Sequence, residues 1–354
     1  SLTNLPNRNL LEDNLHQAIF HARRKNQIIA LTFFSLDNFD TIKETLGYYI
    51  GEELLKLVAE RLLHFTGDTN QIAHPKENTF ALILNNLNDR SQAIEMIHQI
   101  MALLKPSFRA GNNDLYLEIS TGFSIFPRDG EDVIEIIKNA EMALAFPRME
   151  GVEKIVGYEA EMNVIAHERL RITTQLRTAT EQGQFSLFYQ PQVDIGHRRV
   201  VGFEGLIRWK HSEFGFVPPM TFIPLAEDTG LIVPIGDWVL NEACRQASEW
   251  RRKKYPEIRV AVNVSPVQFM HGDFFGRLNK ALNKYELPPH YLAIEITEGV
   301  FMRDTEEVAK KLKKIRDIGI EVHIDDFGTS YSSLSYLLKQ PLDCLIINKS
   351  VNDA

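Results

Sequence analysis

In the second half of the chain, six short apolar runs alternate with helical stretches, and four of those runs carry an acid or an amide inside an otherwise hydrophobic segment. The runs fall at residues 185–193, 200–208, 259–264, 291–297, 321–325 and 344–347, and helical patterns lie between most of them, around residues 222–254, 274–285, 305–318 and 331–338. A strand followed by an amphipathic helix buries both apolar faces when the chain returns to a neighbouring parallel strand. Repeated βα units therefore predict a parallel sheet, and six in a row favour a barrel, with an open six-stranded sheet as the alternative. A complete (β/α)8 barrel takes about 250 residues. About 170 residues follow from Phe185, so roughly two units are expected to be absent and the barrel incomplete.

The first half reads as an α+β unit. Leu11, Leu15, Ala18, Ile19 and Ala22 share one helical face within residues 7–26, and residues 27–36 (QIIALTFFSL) have the β-branched and aromatic content of a buried strand. Helices are predicted over 37–45 and 52–65, divided by Gly47 and Gly51. A strand over 79–84, a helix over 90–104 stopped before Pro106, a strand over 116–126 and a helix over 131–149 complete the unit. Residues 157–182 are predicted to form a linking helix with apolar positions at Val164, Ile165, Leu170 and Leu176, a spacer packed on one domain in preference to a separate partner site. The expected division is 1–156, a linker over 157–182, and a barrel domain over 183–354.

Composition narrows the function. Thirty-nine Lys and Arg against 47 Asp and Glu give a formal charge of −8, which argues against a protein that tracks nucleic-acid phosphates with a basic face. Arg251–Arg252–Lys253–Lys254 reads as a solvated helix end. Cys244 and Cys344 are the two cysteines and form no CxxC pair, so neither a disulfide framework nor a cysteine zinc site is available, and a reducing, cytoplasmic compartment is expected. Eleven histidines show no HxxxH or HExxH spacing. No signal peptide or membrane-length apolar run is found, and the chain opens without methionine. It is expected to be part of something longer, including the cytoplasmic part of a sensor or membrane protein.

The predicted strands end in oxygen-bearing residues: Glu204 in VGFEGLIRW, Asn263 in VAVNVS, Glu295 in LAIEITE, and Asp325 with Asp326 in VHIDDFG. A single carboxylate at a strand end is ordinarily a helix cap. Four strands ending this way place several acids on the barrel face where active sites of this fold lie. Carboxylates gathered without matching cations repel one another and are costly to desolvate, a cost that a divalent ion removes. All-oxygen donors favour Mg²⁺, Mn²⁺ or Ca²⁺ over zinc, and the adjacent aspartates suit two ions and phosphodiester hydrolysis. Arg208, on the same strand side as Glu204, suits a phosphate. Gln190 and Pro191, ending the first strand, either meet a base edge or begin a turn.

FYQPQVDI, VGFEGLIRW, TFIPLAEDTGLI, VAVNVSPVQF, AIEITEGVFM and IDDFGTSYSSLSYL resemble the EAL domain, the cyclic-di-GMP phosphodiesterase and receptor fold. LTNLPNR, SLDNFDTIKETLGYYIGEELL and STGFSIFPRDG resemble the GGDEF, or diguanylate cyclase, domain, and the tandem order is familiar. The resemblance implies a nucleotidyl-cyclase-like α+β domain followed by an EAL-type, TIM-like (β/α)8 barrel. It implies a metal shell of Glu204, Asn263, Glu295, Asp325 and Asp326, with Glu204, Asp325 and Asp326 catalytic. Gln190, Leu206, Arg208 and Asn263 would then contact the dinucleotide. Mg²⁺ or Mn²⁺ is the implied cofactor, with Ca²⁺ an ion that binds without supporting turnover. A homodimer and a protein partner are further expectations; nucleic acid and membrane contact are not.

Both halves depart from their families. KENTF, Lys76 to Phe80, stands at the GGDEF signature; Ser35 replaces the first metal-binding aspartate; Lys43 and Glu44 replace the nucleotide-binding Asn and Asp; and GDTN at 67–70 lacks the RxxD of the inhibitory site. The GGDEF-like half is therefore expected to be regulatory and not a cyclase. In the EAL-like half, Gly205 replaces an alanine, Ser330 a glycine, Ile346 the lysine of PxDxLKID and Asn348 its aspartate. That lysine would orient the attacking water. The expected function is a bacterial cyclic-di-GMP receptor with little turnover; the rivals are an active phosphodiesterase producing pGpG and a scaffold with both sites lost.

Overall fold

The computed structural model describes residues 2–66, 71–146, 155–255, 257–297, 300, 305–327 and 341–347, with the side chains of 305, 326 and 327 excepted. The chain divides into two compact units, Ser1–Glu168 and Arg169–Ala354.

The first unit is built from α1 (Arg8–Lys25), β1 (Ile28–Leu36), α2 (Phe39–Leu46), α3 (Tyr48–Thr66), β2 (Ile72–Lys76), β3 (Thr79–Leu87), α4 (Arg90–Leu104), β4 (Phe108–Ala110), β5 (Asn113–Leu115), β6 (Ile119–Phe126), α5 (Val133–Ala145) and β7 (Ile155–Gly157). Its main sheet has the order β2-β3-β1-β6-β7, with β1 antiparallel to both β3 and β6. The period of two in β1 feeds two cores. Ile29, Leu31 and Phe33 pack with Leu11, Leu15 and Ile19 of α1 and Ile136 of α5, while Ala30, Phe34 and Leu36 pack with Leu54 and Val58 of α3 and Ile97 of α4. Burial of each of the Leu, Ile, Val and Phe side chains among these contributes about 1.5–3 kcal/mol. Asn7 caps α1 by accepting from the Leu10 amide at 3.1 Å.

Three expectations change here. Gly51 lies inside α3, with ordinary helical backbone and Phe39 of α2 in van der Waals range; the break falls at Gly47 alone, where φ is 91°. The linking segment is a short strand, β7, followed by a helix, α6 (Glu161–Ala179). Val164 and Leu170 of α6 are exposed, whereas Met162 is buried in the first unit and Ile172, Leu176 and Ala179 in the second. The predicted strand over 116–126 begins at Ile119, and β2, β4 and β5 carried too few apolar positions to be seen in advance.

The second unit continues with β8 (Phe185–Asp194), β9 (Arg199–His211), β10 (Gly215–Val217), α7 (Pro219–Asp228), α8 (Ile232–Arg252), β11 (Arg259–Val264), α9 (Pro266–Met270), α10 (Phe274–Lys284), β12 (Leu292–Thr297), α11 (Thr305–Asp317), β13 (Glu321–Phe327) and β14 (Cys344–Ile347). The sheet order is β10-β9-β11-β12-β13-β14, with β8 on β9. From β9 through β14 the pairing is parallel, the arc of an EAL-type barrel. The sheet is not parallel throughout, however. β8 and β10 run antiparallel to β9. Only residues 195–198 join β8 to β9, and a parallel return needs a dozen or more.

Alternation then sorts the faces. Val260, Val262, Leu292, Ile294, Val322 and Ile324 bury against α8, α10 and α11. Period two consequently assigns Arg259, Ala261, Asn263, Ala293, Glu295, His323 and Asp325 to the opposite face.

Candidate functional site

In the β8–β9 ribbon, Gln190 pairs with Glu204, Phe188 with Leu206 and Ser186 with Arg208. Their intervening neighbours occupy the other face, where Tyr189 and Phe203 pack on Trp250 of α8 at centroid distances of 5.0 and 5.2 Å. That aromatic packing fixes which side of the ribbon carries Glu204. Sequence placed Gln190 and Glu204 at strand ends. Both are instead mid-strand, because the antiparallel ribbon carries β8 to Asp194 and β9 to His211. Gln190 is exposed, while Leu206, Arg208 and Glu204 are half-buried.

Across the parallel sheet, Asn263 is in register with Glu295, Glu295 with His323, and Thr297 with Asp325. Asn263 Nδ2 donates to Glu204 Oε1 at 2.7 Å. Glu295 is 1% exposed; its Oε1 accepts from Gln192 Nε2 at 3.2 Å, and its Oε2 has no hydrogen-bond partner among the described residues. Burial raises the Glu204 carboxyl above its usual value and the charges of Glu295 and Asp325 raise it further, against the Asn263 hydrogen bond and Arg208. Leu206, Arg208, Asn263, Glu295, Glu227 and Thr297 line one cavity of about 290 Å³. Arg208 Nη1 donates to the Ile207 carbonyl at 2.9 Å, and its guanidinium lies 5.6 Å from the Phe188 ring centroid.

Glu204, Asn263, Glu295 and Asp325 are thus neighbours, whereas Asp326 contributes its backbone to β13 and its side chain lies outside the described residues. Among the described residues no three of His, Cys, Asp and Glu converge closely enough to hold a metal by themselves. The donor set nevertheless fits a hard cation: every donor is oxygen, the charges of Glu295 and Asp325 raise the Glu204 carboxyl, and a buried carboxylate oxygen of Glu295 lacks a partner among the described residues. Gln192 and His323 were missed by sequence. The signal was available, since each lies two residues from a named site residue, Gln190 and Asp325, and shares its strand face.

β14 places Ile346 beside this set. Leu345 pairs with Ile324 and Ile347 with Phe327, so Ile346 alone opposes the Asp325–Asp326 step in an irregular register. Residues 330, 348 and 349 lie outside the described residues.

In the first unit, Ser35 of β1 pairs with Thr79 of β3 and Ser120 of β6. Ser35, Asp37, Lys76, Thr79, Ser120 and Glu141 line a cavity of about 540 Å³. Glu141 accepts from Arg8 at 2.7 Å and from Lys76 at 3.2 Å, and Ser120 donates to Asp37. Residues 67–70 are outside the described set.

An EAL domain family model matches residues 173–353, and the model of the diguanylate cyclase GGDEF domain matches residues 1–153. The bifunctional diguanylate cyclase/cyclic di-GMP phosphodiesterase MucR of Pseudomonas aeruginosa is 35% identical over 349 residues, covering 99% of this chain and 51% of MucR. The cyclic di-GMP phosphodiesterase PdeR of Escherichia coli is 33% identical over 349 residues, 99% of this chain and 52% of PdeR. The chain thus spans about half the length of these curated relatives. A solved PaMucR phosphodiesterase in complex with c-di-GMP is 40% identical, covers 52% of this chain and 74% of its own, and superposes with a TM-score of 0.50. The Vibrio cholerae LapD S helix-GGDEF-EAL structure, bound to c-di-GMP, covers 99% of this chain and 84% of its own with a TM-score of 0.61 at 16% identity, a likeness of fold alone. The two matched domains and the relatives that align along nearly the whole chain establish that this protein belongs to the family joining a GGDEF domain to an EAL domain in tandem.

Proposed function

We propose that this chain is a cyclic-di-GMP receptor: its EAL unit binds the dinucleotide with the help of a divalent cation and turns it over slowly or not at all, and its GGDEF unit is regulatory. The observation that carries the reading is the pairing of Glu204 with Asn263 beside a buried Glu295 oxygen that has no hydrogen-bond partner among the described residues. Glu204, Asn263, Glu295 and Asp325, with Asp326, would hold Mg²⁺ or Mn²⁺, which polarises a phosphoryl oxygen and offsets its charge. Arg208 supplies a second positive group for a phosphate, and Leu206 an apolar wall for a base. Ile346, opposite the Asp325–Asp326 step, has no group with which to orient water, and this separates binding from hydrolysis.

A second reading, an active phosphodiesterase yielding pGpG, is favoured by the same oxygen set and by the phosphodiesterase names of MucR and PdeR. Titration calorimetry with cyclic di-GMP, with and without Mg²⁺, tests the common core of both. Glu295→Ala or Asn263→Ala abolishes the metal-dependent part. Absence of wild-type binding at about 1 mM, an affinity of only about −4 kcal/mol, overturns both readings.

A further inference from the structure

We propose that His323 is a positioning residue for Glu295: braced by an Arg259–Glu321 ion pair, it fixes the Glu295 carboxylate so that one oxygen remains free to ligate the cation. The inference rests on the metal-binding reading above.

His323 and Glu295 are directly in register across β12 and β13, and both are nearly inaccessible, at 4% and 1% exposure. The imidazole stands between two carboxylates. Its Nε2 is 3.1 Å from Glu321 Oε2, and its Nδ1 is 3.5 Å from Glu295 Oε1. Glu321 in turn pairs with Arg259, two strands away on β11. Ala261 and Ala293 lie on the same face between them, and their methyl groups leave room for these long side chains to meet.

The 3.5 Å separation is long for a hydrogen bond. The tether on Oε1 comes from Gln192, donating at 3.2 Å, and His323 acts by occupying the space beside the carboxylate, which limits how far it can turn. Oε1 is then tethered by Gln192 and flanked by the imidazole, whose Nδ1 makes no hydrogen bond among the described residues, while Oε2, buried and likewise without a partner there, is reserved. A buried carboxylate oxygen left without a partner is costly in a site built only for stability. Second-layer groups that orient a ligand in this way typically govern about 10–100-fold in metal affinity.

The test is Mn²⁺ titration by calorimetry on the whole chain, alongside thermal unfolding in EDTA. His323→Ala is expected to weaken Mn²⁺ binding by about 10–100-fold, and His323→Asn, which keeps a polar group of similar reach, to recover most of it. A purely packing role would lower the metal-free melting temperature and leave Mn²⁺ affinity alone. Wild-type Mn²⁺ binding matched within about twofold by His323→Ala overturns this inference while leaving the receptor reading intact. A wild type that binds no Mn²⁺ at about 1 mM overturns the metal site itself, and this inference with it. Should His323→Ala fail to fold, Glu321→Gln carries the same test: it is expected to weaken Mn²⁺ binding, and unchanged affinity counts against the proposal.

Discussion

Lys43 Nζ lies 2.9 Å from Glu77 Oε1, joining α2 to the turn between β2 and β3. The amine also stands 3.2 Å from Asp40, and its pKa is raised, first by the hydrogen bond it donates to Glu77. The resemblance sets Lys43 against the GGDEF family's nucleotide-binding asparagine and Glu77 against a signature glycine. The two residues that the sequence reading marks as departures therefore meet in space as one ion pair. An exposed pair of this kind contributes little to stability, so its consequence is for access and charge.

The chain is accordingly expected to form no cyclic di-GMP from GTP. Chromatography of a reaction with GTP and Mg²⁺ checks this. Product forming at the usual enzymatic rate of about 1 per second or faster would show that Ser35 and KENTF do not disable the unit.

In the EAL unit, hydrolysis is expected to be weak and binding measurable. Loss of a positioned catalytic group costs about 10²–10⁴ in rate, roughly 3–5 kcal/mol of barrier. Ile346→Lys should raise pGpG formation relative to wild type while changing affinity for cyclic di-GMP less. Family-level hydrolysis by the unmodified chain would move the phosphodiesterase reading to first place.

Gly122→Ala should destabilise the first unit. A Cβ built at Gly122 of β6 lies 2.1 Å from the Leu144 backbone nitrogen of α5, a clash with main chain that rotamer changes cannot relieve. Overpacking of this kind typically costs about 1–3 kcal/mol or more. Urea unfolding measures it; a change within about 0.5 kcal/mol would mean that α5 moves away freely.

The two cysteines should differ in reactivity. Cys244 is buried, and desolvation pushes its thiol up to about 12; Cys344 is exposed, and its thiol is raised by partial burial and then by the charge of Glu295. The thiolate is the reactive form. At pH 8 iodoacetamide should modify Cys344 and spare Cys244, with Cys344 labelling faster as pH rises. Equal labelling of both in the folded chain, read by peptide mass spectrometry, would contradict the packing around α8.

The apolar runs by themselves locate β11, β12 and β14 to within a residue, and Glu204, Asn263, Glu295 and Asp325 stand out in the sequence as polar residues within apolar runs. Hydrophobic period and residue chemistry are local properties, so a chain displays them directly. Strand direction and register are not local in this way. That β8 returns antiparallel, that Gln190 faces Glu204, and that Glu295 rests on His323 depend on which strands pair and where, and partners more than 100 residues apart, such as Gln192 and Glu295, meet only after that pairing is made. Gly51 shows the same limit within one helix. Its lack of a side chain reads as a break, yet α3 runs straight through it, because Leu54, Leu55 and Val58 on the turns that follow are buried in one core. Tertiary packing decided these points because burying both faces of a sheet selects a single register, and a one-residue slip would turn every site residue toward the helices.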